Sequence, residues 1–163
     1  MIVISDTSPI INLAIIDKLD LLPQLFDTIV IPEAVFNEIV IIGKGLPGSD
    51  IIENAKWVEV KTCNNRILIN SLLDYVQIGE AEALTLALEL QADTIIVDEA
   101  AARNLAEQFG LNFTGLLGIL IKAKEHGLIP SVKPLMDALR TKARFFIHQS
   151  LYNQVLKIAK EEA

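Results

Sequence analysis

Two short, β-branched runs in this chain end in the same way. Ile2-Val3-Ile4-Ser5 leads into Asp6, and Thr94-Ile95-Ile96-Val97 leads into Asp98. Apolar runs without polar alternation are expected of strands covered on both faces, as in a parallel sheet flanked by helices. In such sheets ligands sit beyond the carboxyl ends of the strands, and both aspartates fall there. After the first run, Ser8-Pro9 reads as an N-cap followed by a first-turn proline, which leaves Asp6 free for other work.

The remaining pattern agrees with that sheet. Ile10 to Phe26 reads as a helical hairpin, Thr28 to Ile31 as a strand, and Pro32 to about Ile42 as a helix. Gly43 to Gly48 is a connection without the spacing of a phosphate-binding loop. Trp57 to Thr62 alternates like an edge strand. Helices follow at Ile67 to Val76 and Glu80 to Gln91, and again beyond Asp98 at Ala100 to Phe109. Leu111 to Phe113 can be a last strand before a helix from Leu116 to His126, with two more helices near Val132 to Leu139 and Ser150 to Ala159. Strands alternating with helices predict parallel βαβ crossovers, hence an α/β fold: a three-layer α/β/α sandwich around a mainly parallel sheet. At 163 residues the chain reads as a single domain, with a core of about residues 1–129 and a helical extension of about residues 130–163.

Composition narrows the chemistry. The chain is 52% hydrophobic, yet no run reaches the roughly 18 apolar residues of a membrane span, and no leader-like segment opens it. A cytoplasmic protein without a membrane partner is expected. Cys63 is the lone cysteine, and the two histidines, His126 and His148, lie far from other ligand types, which disfavours zinc sites and histidine-based hydrolysis. Charge is uneven: residues 1–121 hold six Lys/Arg against 17 Asp/Glu, whereas 122–160 hold eight against two. An acidic body suits a metal site and a basic C-terminal segment suits a polyanion, with Lys124, Lys133, Arg140, Lys142 and Arg144 as the candidate RNA-binding residues.

Two more acids join the strand-end pair. At about 100° per residue, Ala34, Val35, Ile41 and Ile42 all lie within about 60° of Glu38, so Glu38 projects from the apolar face of its helix. Glu80 begins the face of its helix that packs on the sheet, while Glu82, about 200° away, falls on the polar arc and reads as a solvated surface residue. Close pairs among Asp6, Glu38, Glu80 and Asp98 would repel by about 4 kcal/mol each at an effective dielectric of about 20, so the cluster makes sense around a cation. Oxygen-only donors favour Mg²⁺ or Mn²⁺, which can lower the pKa of a bound water and stabilise charge on a phosphoryl group. Thr7 and Ser8 could position water or substrate. Arg103 either faces phosphate or pairs with Glu99 one turn earlier, and the surface pair is favoured.

Ile4-Ser5-Asp6-Thr7-Ser8, Val35-Phe36-Asn37-Glu38-Ile39, Gly79-Glu80-Ala81-Glu82-Ala83-Leu84 and Ile95-Ile96-Val97-Asp98-Glu99, in that order, resemble the PIN domain, best known from toxin nucleases of the VapC type. With Phe113-Thr114-Gly115-Leu116-Leu117-Gly118 and the C-terminal extension, the chain is similar to a bacterial and archaeal PIN-like branch. The resemblance covers nearly the whole chain. It implies a Mg²⁺- or Mn²⁺-dependent endoribonuclease acting on single-stranded RNA, often a toxin neutralised by an antitoxin and commonly a homodimer. Asp6, Glu38, Glu80 and Asp98 would bind metal and activate water. The chain departs from many members in carrying Glu at the third acid position. The alternative is a non-catalytic nucleic-acid-binding or regulatory module of the same fold; a phosphoryl-accepting domain built on Asp6 is weaker, because Ser8 stands where a second Asp would be needed.

Overall fold

The computed structural model describes residues 1–162. Strand β1 (Val3–Ser5) leads into α1 (Thr7–Ile15) and α2 (Leu21–Phe26), the two expected helices, which pack chiefly on other elements rather than on each other as the expected hairpin. Then β2 (Ile29–Pro32) feeds α3 (Glu33–Phe36), which widens into a π-helical turn over Asn37–Ile42. The uniform helix expected from Pro32 onward is therefore interrupted. The glycine-rich connection is followed by α4 (Ser49–Asn54), for which the sequence carries no clear periodic signal, and by β3 (Val58–Lys61). The chain continues through α5 (Arg66–Leu72), α6 (Ile78–Glu89), β4 (Thr94–Ile96), α7 (Ala100–Gln108), β5 (Phe113–Thr114) and α8 (Leu116–Glu125). It closes with α9 (Lys133–Lys142) and α10 (Gln149–Ile158).

The five strands form one parallel sheet in the order β3-β2-β1-β4-β5. From β1 the chain winds outward through β2 to β3, then crosses back to place β4 on the other side of β1. The order reverses between β1 and β4, and at such a switch point diverging connections open a crevice at the strands' carboxyl ends. Ser5 pairs with Ile96 there, and the Asp6 N–H donates to the Ile96 carbonyl at 3.1 Å. Both aspartates therefore follow the carboxyl ends of neighbouring central strands.

Strand alternation divides the core. Val3, Ile29, Ile31 and Ile96 pack into one apolar cluster with Ile10 and Leu13 of α1 and Leu116 and Ile119 of α8. Ile4, Val30, Ile95 and Val97 pack into the other, with Ile69 of α5, Leu84 of α6 and Ala102 of α7. A sheet with apolar side chains on both faces requires helices on both, so the three-layer α/β/α sandwich follows directly from the two β-branched runs. The extension adds Met136, Leu139, Tyr152 and Val155 to the first cluster. Its docking is locked by Glu161, which accepts from the N–H groups of Val132 at 2.7 Å and Lys133 at 3.0 Å at the start of α9, and pairs with Lys124 at 2.9 Å. Among the described residues, no helix is long and apolar enough to cross a membrane.

Candidate active site

A cavity of about 560 Å³ opens at the switch point, lined by Asp6, Glu38 and Glu80 together with Ser8, Asn12 and Glu99. Asp6 reaches it from the end of β1. It occupies the N-cap position of α1, which begins at Thr7 rather than after Ser8, and its side chain makes no capping bond. The capping role expected of Ser8 is thus corrected, because the strand runs straight into the helix with no spare residue between them. Ser8 and Asn12, one helical turn apart, instead present polar groups to the cavity.

Glu38 arrives from the π-helical turn, a local widening common at functional sites. The Thr7 hydroxyl donates to Glu38 Oε2 at 2.6 Å, so this threonine is committed to orienting a carboxylate. The Glu38 carboxylate also lies hard against the first turn of α6: a Cβ on Gly79 would meet Glu38 Oε1 at 2.8 Å. Only glycine gives it that room. Glu80, one residue on, accepts at Oε1 from the Gln77 N–H at 3.2 Å, the return half of a capping box, while its Oε2 is buried without a partner.

Asp98, expected with the other three acids, does not line this cavity, although its charge acts on Asp6. Its Oδ1 accepts from the Leu116 N–H at 3.0 Å, at the start of α8, and faces the Arg103 guanidinium at 3.5 Å. The expected surface pair of Arg103 with Glu99 does not form: Arg103 folds back to donate to the Val97 carbonyl at 3.1 Å and to reach Asp98, the more buried and more demanding anion. Space for this pairing depends on Gly115, whose Cβ would come within 2.5 Å of Asp98 Oδ1. Asp98 Oδ2, like Glu80 Oε2, is buried and unpartnered.

The electrostatics follow from crowding and burial. Asp6 is pushed up from 3.8 to about 7, first by desolvation; the Thr7 N–H pulls it back, and the charges of Glu80, Glu38 and Asp98 raise it further. Desolvation also raises Glu80, offset by the Gln77 N–H and reinforced by Glu99 and Glu38. Asp98 is raised by burial as well, against the lowering effect of the Leu116 N–H and Arg103. Glu99 acts in this field on two of the acids and lines the cavity. Sequence reasoning gave it only the role of partner to Arg103, although its place directly after a strand-end aspartate was the available signal.

Glu82 overturns the expectation of a solvated residue. It is buried at 5% exposure, accepts from the Ala34 N–H at 3.1 Å and pairs with Arg66 at 3.2 Å. The polar arc assigned to α6 does not exist in its first turns, because α3, α5, α7 and the sheet surround it. A helix enclosed in this way has no solvent face, and angular position alone cannot identify its exposed side.

The basic residues of the C-terminal segment are partly occupied. Lys124 is held by Glu161 and the Ala159 carbonyl, Arg140 by the Ile147 carbonyl at 2.7 Å and the Tyr152 ring at 4.1 Å, and Lys133 pairs with Asp137 at 3.4 Å. Lys142 and Arg144 are exposed.

The donor set fits a hard divalent cation. Its groups are all oxygen, two of them buried carboxylate oxygens without partners, and like-charge crowding would be relieved by a cation. Among the described residues no three acid, histidine or cysteine side chains already form a complete ligand set. This is compatible with an ion such as Mg²⁺, which takes one or two carboxylates and keeps several waters.

An open parallel sheet with a carboxylate cavity at its switch point defines a class of acid-dependent α/β domains, and comparison with known families makes it specific. A family model for the PIN domain matches residues 2–161, and the chain belongs to that family. PIN domains are generally nucleases and typically use divalent metal ions. No curated protein matches the chain.

Proposed function

We propose that this protein is a Mg²⁺- or Mn²⁺-dependent endoribonuclease that hydrolyses phosphodiester bonds of single-stranded RNA. The observation that carries this reading is the pair of buried, unpartnered oxygens, Glu80 Oε2 and Asp98 Oδ2, beside an Asp6 raised to about 7. Orphaned carboxylate oxygens are costly to bury, and a cation is the partner their chemistry fits.

Asp6, Glu80 and Asp98 would hold the ion. The metal, when bound, would supply charge stabilisation at a phosphoryl oxygen and an acidified water. Thr7 fixes the Glu38 carboxylate at the edge of the same cavity, where it can orient water through hydrogen bonds. Ser8 and Asn12 offer neutral polar groups for water or phosphate. Arg103 and the Leu116 N–H fix one oxygen of Asp98 and leave the other for the ion. A toxin role, a neutralising antitoxin and a homodimeric state are extensions of the family resemblance and belong to this proposal. A second reading, a non-catalytic nucleic-acid-binding or regulatory module, draws on the incomplete ligand set and on the engagement of Asp98 by Arg103.

The test is incubation of the purified chain with single-stranded RNA in Mg²⁺ or Mn²⁺. Cleavage should disappear with chelator and fall at least about tenfold in Asp6→Asn, a loss of about 1.4 kcal/mol or more of transition-state stabilisation. RNA that is bound but never cut would favour the non-catalytic module. Cleavage unchanged in repurified Asp6→Asn would remove the acids from the chemistry.

A further inference from the structure

A second groove, of about 410 Å³, is lined by Asp98, the chain neighbour of Glu99 in the acid cavity. The core contributes Arg103 and Phe113 to its lining, and the extension contributes Phe145, Phe146, Leu151 and Ile158. The Arg103 guanidinium lies over the Phe113 ring at 5.8 Å. Phe146 is 76% exposed and is braced edge-on by His148, with ring centroids 4.8 Å apart. Ile158 is 60% exposed and Leu151 42%. Contiguous apolar surface of this kind marks an interaction site rather than ordinary exposure.

Charge and continuity indicate the occupant. The one carboxylate lining the groove, Asp98, is already faced by Arg103, while Lys142 and Arg144 lie exposed in the chain just before Phe145. Aromatic rings combined with a guanidinium plane suit the face of a nucleobase, and exposed cations suit the phosphates beside it. Asp98 in the groove directly precedes Glu99 of the acid cavity, so a strand whose scissile phosphate meets the acids can carry its neighbouring nucleotide into the groove. A helical or peptide partner would gain from the apolar area but would make no use of the guanidinium beside the rings.

We propose that the groove between Arg103–Phe113 and Phe145–Phe146 is a nucleobase subsite for single-stranded RNA, supplied jointly by the core and the extension. It rests on the nuclease reading above and assigns the extension a part in holding substrate. Stacking tolerates any base, so the subsite contributes affinity and register with little sequence preference. Lys133 and Arg140 of the extension are held by internal partners, which leaves the aromatic groove and the exposed Lys142 and Arg144 as its contribution to binding.

The experiment measures binding of a labelled single-stranded RNA octamer by fluorescence anisotropy in Mg²⁺, with Asp6→Asn as the parent so that the RNA stays intact. Phe146→Ala on that parent should weaken binding about tenfold, within the range for loss of one base–aromatic stack, and Phe146→Trp should restore it. An abasic nucleotide walked along the octamer should cost about as much at one position in the parent and nothing there in Phe146→Ala. Phe146 is largely exposed, so neither change threatens the fold. If wild type cuts RNA but Phe146→Ala binds it as the parent does, the subsite is overturned and the nuclease reading stands. If Phe146→Ala instead converts a dimer to a monomer in sedimentation with RNA affinity intact, the groove is an interface between copies and the subsite is again overturned. If wild type neither binds nor cuts RNA, both readings fail together.

Discussion

Glu80 and Glu82 stand two residues apart on one helix, and their surroundings could hardly differ more. Glu82 is the more buried, and both of its oxygens have partners: the Ala34 N–H and the Arg66 guanidinium. Glu80 is less enclosed, yet one oxygen is buried with nothing to accept from, in a field made more negative by Glu99 and Glu38. Burial alone therefore does not separate a structural acid from a functional one. Satisfaction does: a carboxylate whose hydrogen bonds are complete holds the fold, and one left incomplete at a strand-end crevice stores an unfavourable interaction that a ligand can relieve.

The largest effect expected from that contrast concerns Asp6. Its folded pKa of about 7 lies above the ordinary value of 3.8, so between those values the folded chain keeps a proton that the unfolded chain has lost. Stability contributed by this group therefore falls as pH rises from about 4 to about 7, and the penalty is complete above that. In chelator, Asp6→Asn should raise stability by on the order of 2–4 kcal/mol at pH 8 and by little at pH 4, measured by urea denaturation at each pH. A variant that is less stable at pH 8 would mean that Asp6 has a satisfied, structural role.

Glu82→Ala should act in the opposite direction. It removes the acceptor of a buried backbone N–H and the partner of a half-exposed arginine, and should cost about 2–3 kcal/mol. Calorimetry should register this as a melting temperature lower by about 4–12 °C for a chain of this size. A change below about 1 °C would abolish the contrast with Glu80. The smallest effect is ligand stabilisation: Mn²⁺ at about ten times its dissociation constant adds about 1.4 kcal/mol, or about 3–6 °C in melting temperature. The gain should shrink below pH 7, where protons compete for Asp6.

The sheet and its switch point were legible because strand burial on both faces leaves a strong mark: Ile4, Ile95 and their neighbours admit no polar alternation. Glu38 was singled out as a polar residue inside an apolar arc, but only half of that arc is buried: Ala34 and Val35 are enclosed, whereas Ile41 and Ile42 are exposed, because the π-helical turn alters the angles from which the arc was read. Glu82 was not legible. Its burial comes from α3 and α5, elements close in space but distant in sequence, and no local period records them. Arg103 was misread similarly: helical spacing offered Glu99, whereas the fold offered Asp98, whose greater burial makes it the stronger claimant for a cation. Local geometry finds acids at the ends of strands, and only tertiary packing decides which of them are satisfied.

The most direct test is therefore a paired substitution, with Mn²⁺ binding followed by electron paramagnetic resonance and folding by calorimetry on the same samples. Glu80→Gln should weaken Mn²⁺ binding at least about tenfold, a loss of about 1.4 kcal/mol, with the melting temperature held or raised. Glu82→Gln should keep the wild-type Mn²⁺ affinity and melt at a lower temperature. The reverse ranking, with metal binding lost in Glu82→Gln and kept in Glu80→Gln, would contradict the division between satisfied and orphaned acids and move the site to the other side of α6.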